Sequence, residues 1–370
     1  MKKDAVLILT DGTTLFGKSG GYFGTTFGEI CFNTGMTGYQ EIFTDPSYYG
    51  QIMVTTNVHI GNYGYSKSET ESDVVNIAGL VCKDFNLHNS RPFSDGDLQQ
   101  YFEKQKIVCI YDVDTRALVR HIRNKGAMNA VISTDINSIN ELKQKLLEVP
   151  SMEGLELSSF VSTKKTYTLG NNNSKYRVAV LDFGVKRNIL KCLEERDVFL
   201  KVFPMNVSLS EIKSFNPTGI FLSNGPGDPA IMKDSVSKVK EILNEKIPLF
   251  GICLGHQLIA LAGGLKTFKM HTGHRGINHP IINLSTSKCE VTSQNHGFSI
   301  DEKSLKNNPE IIITHRNLND DSIEGIKFLN RPVFSVQYHP ESSPGPHDSR
   351  YLFDNFIFNM SKFIDNNVKN

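Results

Sequence analysis

Beyond residue 175, short apolar stretches alternate with stretches of helical spacing, and this alternation limits the fold more than any other feature of the sequence. The expected elements, in chain order, are a strand at 177–183, a helix at 187–196, strands at 198–203 and 219–223, a helix at 235–244, a strand at 248–252 and a helix at 254–262. Strands that alternate with helices form a parallel sheet that is covered on both faces. The sequence therefore predicts an α/β fold here, with a mostly parallel sheet flanked by helices.

The preceding half of the chain has a different texture, in which short strand-like runs are broken by Gly, Thr, Asn and Asp. The expected elements are strands at 5–9, 28–32, 51–55, 76–81 and 107–111, and helices at 94–103, 115–125 and 136–147. We therefore predict a β-rich α+β domain at residues 1–150. A polar stretch at 158–175 has the composition of a linker or an exposed loop, so we place a linker at 151–176 and a second domain at 177–370.

Composition excludes several classes of function. The chain has 370 residues and a formal net charge of +1, which gives no reason to expect nucleic acid or an acidic membrane surface as a partner. No stretch approaches the roughly 20 apolar residues that span a bilayer, and the N-terminal apolar run is too short for a secretion signal. The six cysteines form no Cys-x-x-Cys pair. These features predict a cytoplasmic protein with scattered free thiols.

One of these thiols, Cys253, stands where a predicted strand ends and a predicted helix begins. Gly251 and Gly255 flank it, and Gly-x-Cys-x-Gly is the spacing of a nucleophile elbow, a sharp turn in which the backbones come close together. The start of the helix would stabilise a thiolate, and the amide of Leu254 would point toward an oxyanion. A free cysteine is nevertheless by default a small core residue, so the pattern alone leaves both interpretations open.

Two further strand ends offer the partners that a cysteine nucleophile needs. The segment 223–229, Ser-Asn-Gly-Pro-Gly-Asp-Pro, could be an ordinary turn, but the N–H groups of Gly225 and Gly227 could also supply a second oxyanion donor. His339 and Glu341 follow another strand, two residues apart. His339 could then act as the base for Cys253 while Glu341 orients the imidazole, although a histidine beside a proline turn is more often an ordinary surface residue.

Three ordered motifs in this half resemble the class I glutamine amidotransferases: Phe-Leu-Ser-Asn-Gly-Pro-Gly-Asp-Pro at 221–229, Gly-Ile-Cys-Leu-Gly-His-Gln at 251–257 and Gln-Tyr-His-Pro-Glu at 337–341. Other segments resemble the small-subunit family of carbamoyl phosphate synthetases, namely 32–48, 59–64, 182–188, 294–298 and 343–348. The likeness covers nearly the whole chain. Tyr338 departs from the usual motif at a position that varies, which puts none of the roles in doubt.

This resemblance implies a glutaminase in which Cys253 attacks glutamine and forms a thioester, with His339 and Glu341 as the other catalytic residues. It implies oxyanion donors at Leu254 and in the loop of Gly225 and Gly227. The residues that the resemblance implies for binding the rest of L-glutamine are Ser47, Gln257, Asn295, Gly297 and Phe298. A large subunit would receive the ammonia and would bind ATP and Mg²⁺, so the resemblance implies no cofactor and no metal in this chain.

Several alternatives remain at this stage. The chain could be the glutaminase of another synthase, of the anthranilate or guanylate type, or an inactive relative that only scaffolds a partner. Residues 12–19 fit the P-loop pattern, but the glycine-rich residues that follow are unfit for a helix, and a hairpin turn at Asp11-Gly12 is the better prediction. His271, His274 and His279 lack the companions of a metal site, and we expect a loop near the active site there.

Overall fold

The computed structural model describes residues 4–368, which divide into two compact units. The first unit extends to Glu153 and also includes His271–Gly276. The second unit consists of Gly154–Met270 and the chain from Ile277 onward. The predicted boundaries differ from this division in two places, because residues 154–176 belong to the second unit and a six-residue segment of the C-terminal half belongs to the first.

The first unit is built on a closed barrel of seven strands. Its elements are β1 Asp4–Leu9, β2 Thr14–Gly21, β3 Thr25–Asn33, α1 Tyr39–Thr44, β4 Gln51–Thr55, β5 His59–Ile60, β6 Gly79–Val81, β7 Asp84–Phe85, α2 Leu98–Gln105, β8 Val108–Tyr111, α3 Thr115–Lys125, β9 Met128–Ser133 and α4 Ile139–Leu147. The order around the barrel is β1-β2-β8-β6-β4-β3-β9. The β-rich character and all three predicted helices are confirmed, with helix starts three or four residues later than expected for α2 and α4.

The hairpin predicted at Asp11-Gly12 is confirmed, and the P-loop pattern has no structural counterpart. Strands β1 and β2 pair antiparallel on either side of the turn, and Gly12 has the positive φ of 90° that such a turn requires. Lys18 lies within β2, where a P-loop would need a helix to begin. Its ammonium lies 2.7 Å from Asp4 Oδ1.

The second unit is built on a ten-stranded sheet. Its elements are α5 Ser158–Val161, β10 Tyr167–Leu169, β11 Tyr176–Asp182, α6 Arg187–Glu194, β12 Val198–Pro204, α7 Leu209–Ser214, β13 Gly219–Leu222, α8 Lys233–Asn244, β14 Leu249–Ile252, α9 Leu254–Ala262, β15 Thr267–Asn283, β16 Lys288–Ile300, β17 Ile311–Asn317, β18 Ile323–Phe328, β19 Val333–Val336 and α10 Tyr351–Val368. The strand order is β10-β12-β11-β13-β14-β19-β18-β17-β15-β16, and the middle of β15 is the segment that belongs to the first unit.

The centre of this sheet is parallel, as predicted. Strands β12, β11, β13, β14 and β19 all run in the same direction, whereas β10 at one edge and β18 and β17 toward the other edge are antiparallel to their neighbours. The carboxyl ends of β13, β14 and β19 therefore lie side by side at one edge. Ligand sites of α/β sheets form at such an edge.

Apolar side chains cover both faces of the sheet. In β11, Val178 and Val180 belong to one buried cluster, and Ala179 and Leu181 belong to the other. This alternation is what a strand covered on both faces requires. The helix α10 covers one face of the sheet.

No helix within residues 4–368 is long and apolar enough to cross a membrane.

Two expectations from the sequence are wrong. The stretch at 158–175 is not a free linker, because it contains α5 and the edge strand β10, which pairs with β12. Its polar composition reflects exposure, since an edge strand needs backbone partners more than apolar side chains. The histidines at 271, 274 and 279 lie in strand β15 rather than in a loop. Strands β15 to β18 were not predicted, because polar residues interrupt their apolar alternation.

Candidate active site

Cys253 lies between β14 and α9, at the predicted strand-to-helix turn. Its backbone has φ 53° and ψ −104°, a combination that side-chain-bearing residues rarely adopt. Its N–H donates to the Val336 carbonyl at 2.9 Å, and its side chain is 3% exposed. Sparsely populated backbone conformations of this kind persist only where the surroundings hold them in place, and they cluster at functional sites.

The glycines around Cys253 are required by close approach of backbones. A Cβ on Gly251 would lie 2.8 Å from the Gly255 backbone, and a Cβ on Gly255 would collide with the Leu222 carbonyl group. A Cβ on Gly225 would likewise collide with the carbonyl oxygen of Phe183. The elbow and the loop after β13 therefore pack with no room for side chains at these three positions, as an elbow requires.

His339 and Glu341 form a buried pair. His339 Nδ1 lies 2.7 Å from Glu341 Oε1, and both side chains are almost fully buried. The backbone turns here, because the N–H of Ser342 donates to the His339 carbonyl, so the pair is held by a turn rather than by extended backbone. His339 Nε2 makes no hydrogen bond within residues 4–368.

Charges near this pair decide the protonation state of each member. Burial alone would lower the pKa of His339, but the Glu341 charge and the nearby Cys253 thiol outweigh burial and raise the pKa well above its usual value. Burial would raise the pKa of Glu341, but the charges of Lys186 and His339 hold that pKa well below its usual value. These charges therefore favour the protonated imidazole of His339 and the ionised carboxylate of Glu341.

Lys186 is the buried cation that the sequence analysis did not identify. Its ammonium lies 3.0 Å from Glu341 Oε1 and donates to the carbonyls of Ser342 at 2.7 Å and Ser343 at 3.0 Å. A lysine beside a strand end is common, and nothing in one sequence shows that it points inward. The sequence feature that could have pointed to Lys186 is its place in the motif at 182–188, four residues after strand β11 ends.

Strand β16 brings the predicted glutamine-binding segment next to both catalytic candidates. The Cys253 thiol donates to the Asn295 carbonyl at 3.4 Å, and the His339 N–H donates to the Ser293 carbonyl at 2.9 Å. Gly297 and Phe298 follow in the same strand. The structure thus gathers residues from 253, 295–298 and 339 into one place.

Gln257 lies on the first turns of α9 and is 3% exposed. Its side-chain Nε2 donates to the Phe298 carbonyl at 2.9 Å and to Gln337 Oε1 at 3.0 Å. Both N–H groups of the amide are engaged, which leaves Oε1, an acceptor, for a ligand. An acceptor suits the α-ammonium of an amino acid.

The predicted oxyanion donors lie at the start of helix α9, for Leu254, and in the loop after β13, for Gly225 and Gly227. Leu254 is the first residue of α9, and amides in the first turn of a helix have no intrahelical acceptor. Gly227 has φ 99° and forms an isolated bridge with Glu156. The N–H of Asp228 donates to the Leu155 carbonyl at 2.8 Å, so the segment at 155–157 anchors this loop.

Ser47 is the one predicted site residue in the first unit. It lies in the short 3₁₀ helix Pro46–Tyr48 and is 7% exposed. The Asp45 carboxylate accepts its N–H at 2.9 Å. Its predicted contact with glutamine stays a prediction.

His256 is the histidine nearest to Cys253 in the sequence, but it is not the partner of the thiol. Its Nδ1 lies 2.8 Å from Ser335 Oγ on the neighbouring strand β19. Burial lowers its pKa to about 3, so it stays neutral. Its surroundings are those of a packing residue, whereas His339 has the carboxylate that a catalytic histidine requires.

An elbow cysteine beside a histidine–carboxylate pair, at the carboxyl edge of a parallel sheet, is the arrangement of a thiol-dependent amidotransferase. Residues 179–358 match the profile of the glutamine amidotransferase class-I family. Residues 7–132 match the carbamoyl-phosphate synthase small chain, CPSase domain. The second match covers most of the first unit, including the segment 32–48.

Curated relatives extend this likeness over nearly the entire chain. The carbamoyl phosphate synthase small chain of Synechococcus sp. is 45% identical, with 96% of this chain and 93% of that protein covered. The small chain of Clostridium acetobutylicum is 45% identical over 95% of this chain and 99% of its own length. That of Salmonella typhimurium is 45% identical over 96% and 97%.

The chain belongs to the carbamoyl phosphate synthase small chain family. It is the glutamine-hydrolysing component of that synthase, which is a ligase. The alternatives of an anthranilate-type or guanylate-type glutaminase and of an inactive scaffold are thereby set aside.

Proposed function

We propose that Cys253, His339 and Glu341 hydrolyse glutamine through a covalent thioester. The Cys253 sulfur attacks the side-chain carboxamide carbon as a thiolate, with its proton held on His339, and the N–H groups of Leu254 and of the Gly225 loop bind the oxyanion. The C–N bond breaks as His339 gives its proton to the departing ammonia. A water molecule then attacks the thioester while His339 takes one proton of the water. The C–S bond breaks, the new carboxyl group releases its proton to solvent, and glutamate leaves with the Cys253 thiolate and the protonated His339 restored.

The observation that supports this mechanism is the buried pair of His339 and Glu341, in which Nδ1 lies 2.7 Å from Oε1. The Glu341 charge raises the pKa of His339 and favours the protonated imidazole, which can donate to the leaving amine once the sulfur has attacked. Glu341 itself is kept ionised by Lys186, so the imidazole has a fixed orientation. Loss of one oxyanion donor in such a site typically reduces the rate by about 10²–10³.

We further propose that Ser47, Gln257, Asn295, Gly297 and Phe298 bind the amino-acid part of glutamine, with Gln257 Oε1 accepting from the α-ammonium. Gly227 shapes the oxyanion loop. The large chain of the synthase receives the ammonia and binds ATP and Mg²⁺, and this chain itself needs no metal or cofactor. We propose a cytoplasmic location, which the six free cysteines support, because thiols persist in a reducing compartment.

The decisive experiment replaces Cys253 by serine in the complete synthase. Synthesis of carbamoyl phosphate from glutamine should be lost, whereas synthesis from added ammonia should continue. Cys289→Ser is the matched control, because Cys289 is the exposed thiol and should leave both reactions unchanged. Glutamine hydrolysis that persists in Cys253→Ser would overturn the proposed nucleophile.

A further inference from the structure

Helix α3 of the first unit carries a line of arginines on its outer face. Arg116, Arg120 and Arg123 stand at spacings of four and three residues, so they lie on one side of the helix, and all three are exposed. The opposite side is buried through Leu118 and Ile122. We call Arg116, Arg120 and Arg123 the arginine stripe.

A cavity of about 810 Å³ lies beside the arginine stripe. The stripe lines it together with Lys83, Val58 and Val119. Val58 is 46% exposed and contributes apolar surface to this cavity. The surface is therefore concave, and its lining combines four cationic side chains and one carboxylate with apolar side chains.

The nearby carboxylates each have another partner, and one of them, Asp114, lines the same cavity. Asp112 lies 3.1 Å from the Lys83 ammonium, Asp11 lies 2.6 Å from His121, and Asp114 accepts the N–H of Ala117 as the cap of α3. Within residues 4–368, no carboxylate lies within ion-pairing distance of the arginine stripe. The three guanidinium groups thus have no ion-pair partner in the part of the chain that the structure describes.

This arrangement has an energetic cost within the first unit. Like charges four residues apart on a helix repel each other and destabilise the helix. The chain has 40 basic and 39 acidic side chains, so the stripe is a local concentration and not a result of general basicity. The arginine stripe, which has no ion-pair partner and lies beside the cavity, indicates that an anionic surface of another molecule binds here.

We propose that the arginine stripe and its cavity form a docking surface for an acidic surface of the large chain of the synthase. This inference rests on the proposed transfer of ammonia to that chain. Arginine forks match carboxylates with two parallel hydrogen bonds, and exposed Val58 with half-buried Val119 provides the apolar contact that protein interfaces contain. A near-neutral net charge makes nucleic acid the poorer candidate.

The test is the affinity of the intact chain for the purified large chain. The double variant Arg116→Glu/Arg120→Glu should bind at least tenfold more weakly, because like charges meet across the interface. Arg116 lies in the first turn of α3, where a carboxylate favours the helix, so the variant should fold normally. Lys143→Glu on the exposed face of α4 is the matched control, and Arg120→Lys should retain most of the affinity.

Two further measurements separate docking from catalysis. Glutamine hydrolysis by the isolated double variant should equal that of the wild type, and raising the concentration of the large chain should restore glutamine-dependent synthesis. Wild-type affinity should fall with salt more steeply than that of the double variant. Unchanged affinity of Arg116→Glu/Arg120→Glu, or an equal loss in Lys143→Glu, overturns the docking surface. A wild-type chain that binds no large chain would overturn the proposed function itself.

Discussion

At the scale of single residues, the site depends on three buried ionisable side chains of alternating charge. Lys186 is within 3.0 Å of Glu341, and Glu341 is within 2.7 Å of His339. A buried charge is costly unless it is paired, so removal of the middle member leaves two cations without an anion. The protonation of His339 thus depends on a residue that need not touch the substrate.

The variant Glu341→Gln should lose stability in a pH-dependent way. The folded-state pKa of His339 is raised above 6.5, so its contribution is complete below pH 6.5 and declines as the pH rises through that higher value. The folded-state pKa of Glu341 is lowered below 4.5, so its contribution is complete above pH 4.5 and declines at lower pH. We expect Glu341→Gln to reduce the free energy of unfolding most between pH 4.5 and pH 6.5, by about 3 kcal/mol.

Urea unfolding of both proteins at several pH values measures this difference. It should shrink steadily from pH 6.5 toward pH 9. Glu310→Gln removes an exposed carboxylate of the same unit and should change the free energy of unfolding by less than about 0.5 kcal/mol at every pH. A difference for Glu341→Gln that stays constant from pH 5 to pH 9 would contradict the assigned charges.

At the scale of elements, the oxyanion loop depends on the segment that the sequence presented as a linker. Gly227 and Asp228 hold residues 155–157 through backbone contacts. Strand β10 then adds itself to the edge of the sheet beside β12. These residues therefore support the loop after β13 that carries the proposed oxyanion donor.

The variant Gly227→Ala tests this support of the loop, and Gly154→Ala is its control for backbone strain. Both glycines have positive φ, 99° and 85°, so each alanine bears a strain of about 1–2 kcal/mol. Only at Gly227 would the new Cβ also lie 2.8 Å from the Leu155 carbonyl oxygen, whereas the space around Gly154 is open. Gly227→Ala should therefore lose more stability in urea unfolding and should slow glutamine hydrolysis at least tenfold. Equal losses in the two variants would show that only backbone strain matters.

The elements differ in how far the sequence predicted them. The parallel strands were predictable because burial on both faces leaves continuous apolar runs, and the elbow because Gly251 and Gly255 permit no side chain. Strand β15 was missed, since its 17 residues mix His, Lys, Gly and Thr and show no steady alternation. Closure of the barrel and burial of the Lys186 side chain could not be predicted either, because both depend on contacts between residues far apart in the sequence.

At the scale of the whole molecule, two separate segments of the chain make up the first unit. Residues up to Glu153 form most of it, and His271–Gly276 return to it from the middle of β15. Within that unit, the N–H of Ala127 donates to the His271 carbonyl at 2.8 Å, and His271 Nε2 lies 3.2 Å from the Arg123 carbonyl oxygen. The junction at Glu153–Gly154 is therefore one of three chain crossings.

A protease site inserted between Glu153 and Gly154 should not separate the cleaved pieces under native conditions. The later fragment still supplies residues 271–276 to the first unit, so the two fragments should elute together in gel filtration and separate in urea. Ala127→Pro removes the N–H that bonds to His271, and the cleaved variant should separate at a lower urea concentration. Separate elution of the wild-type fragments in native buffer would contradict this prediction.

The six-residue return of β15 also limits how this protein can be recombined. A chimaera that exchanges the first unit with that of a relative at one splice point would combine a foreign barrel with a native hexapeptide. The exchange is complete only if 1–153 and 271–276 are transplanted together. In engineering terms, the unit that is continuous in space is encoded in two separate pieces, and the smaller piece lies within the coding region of the glutaminase.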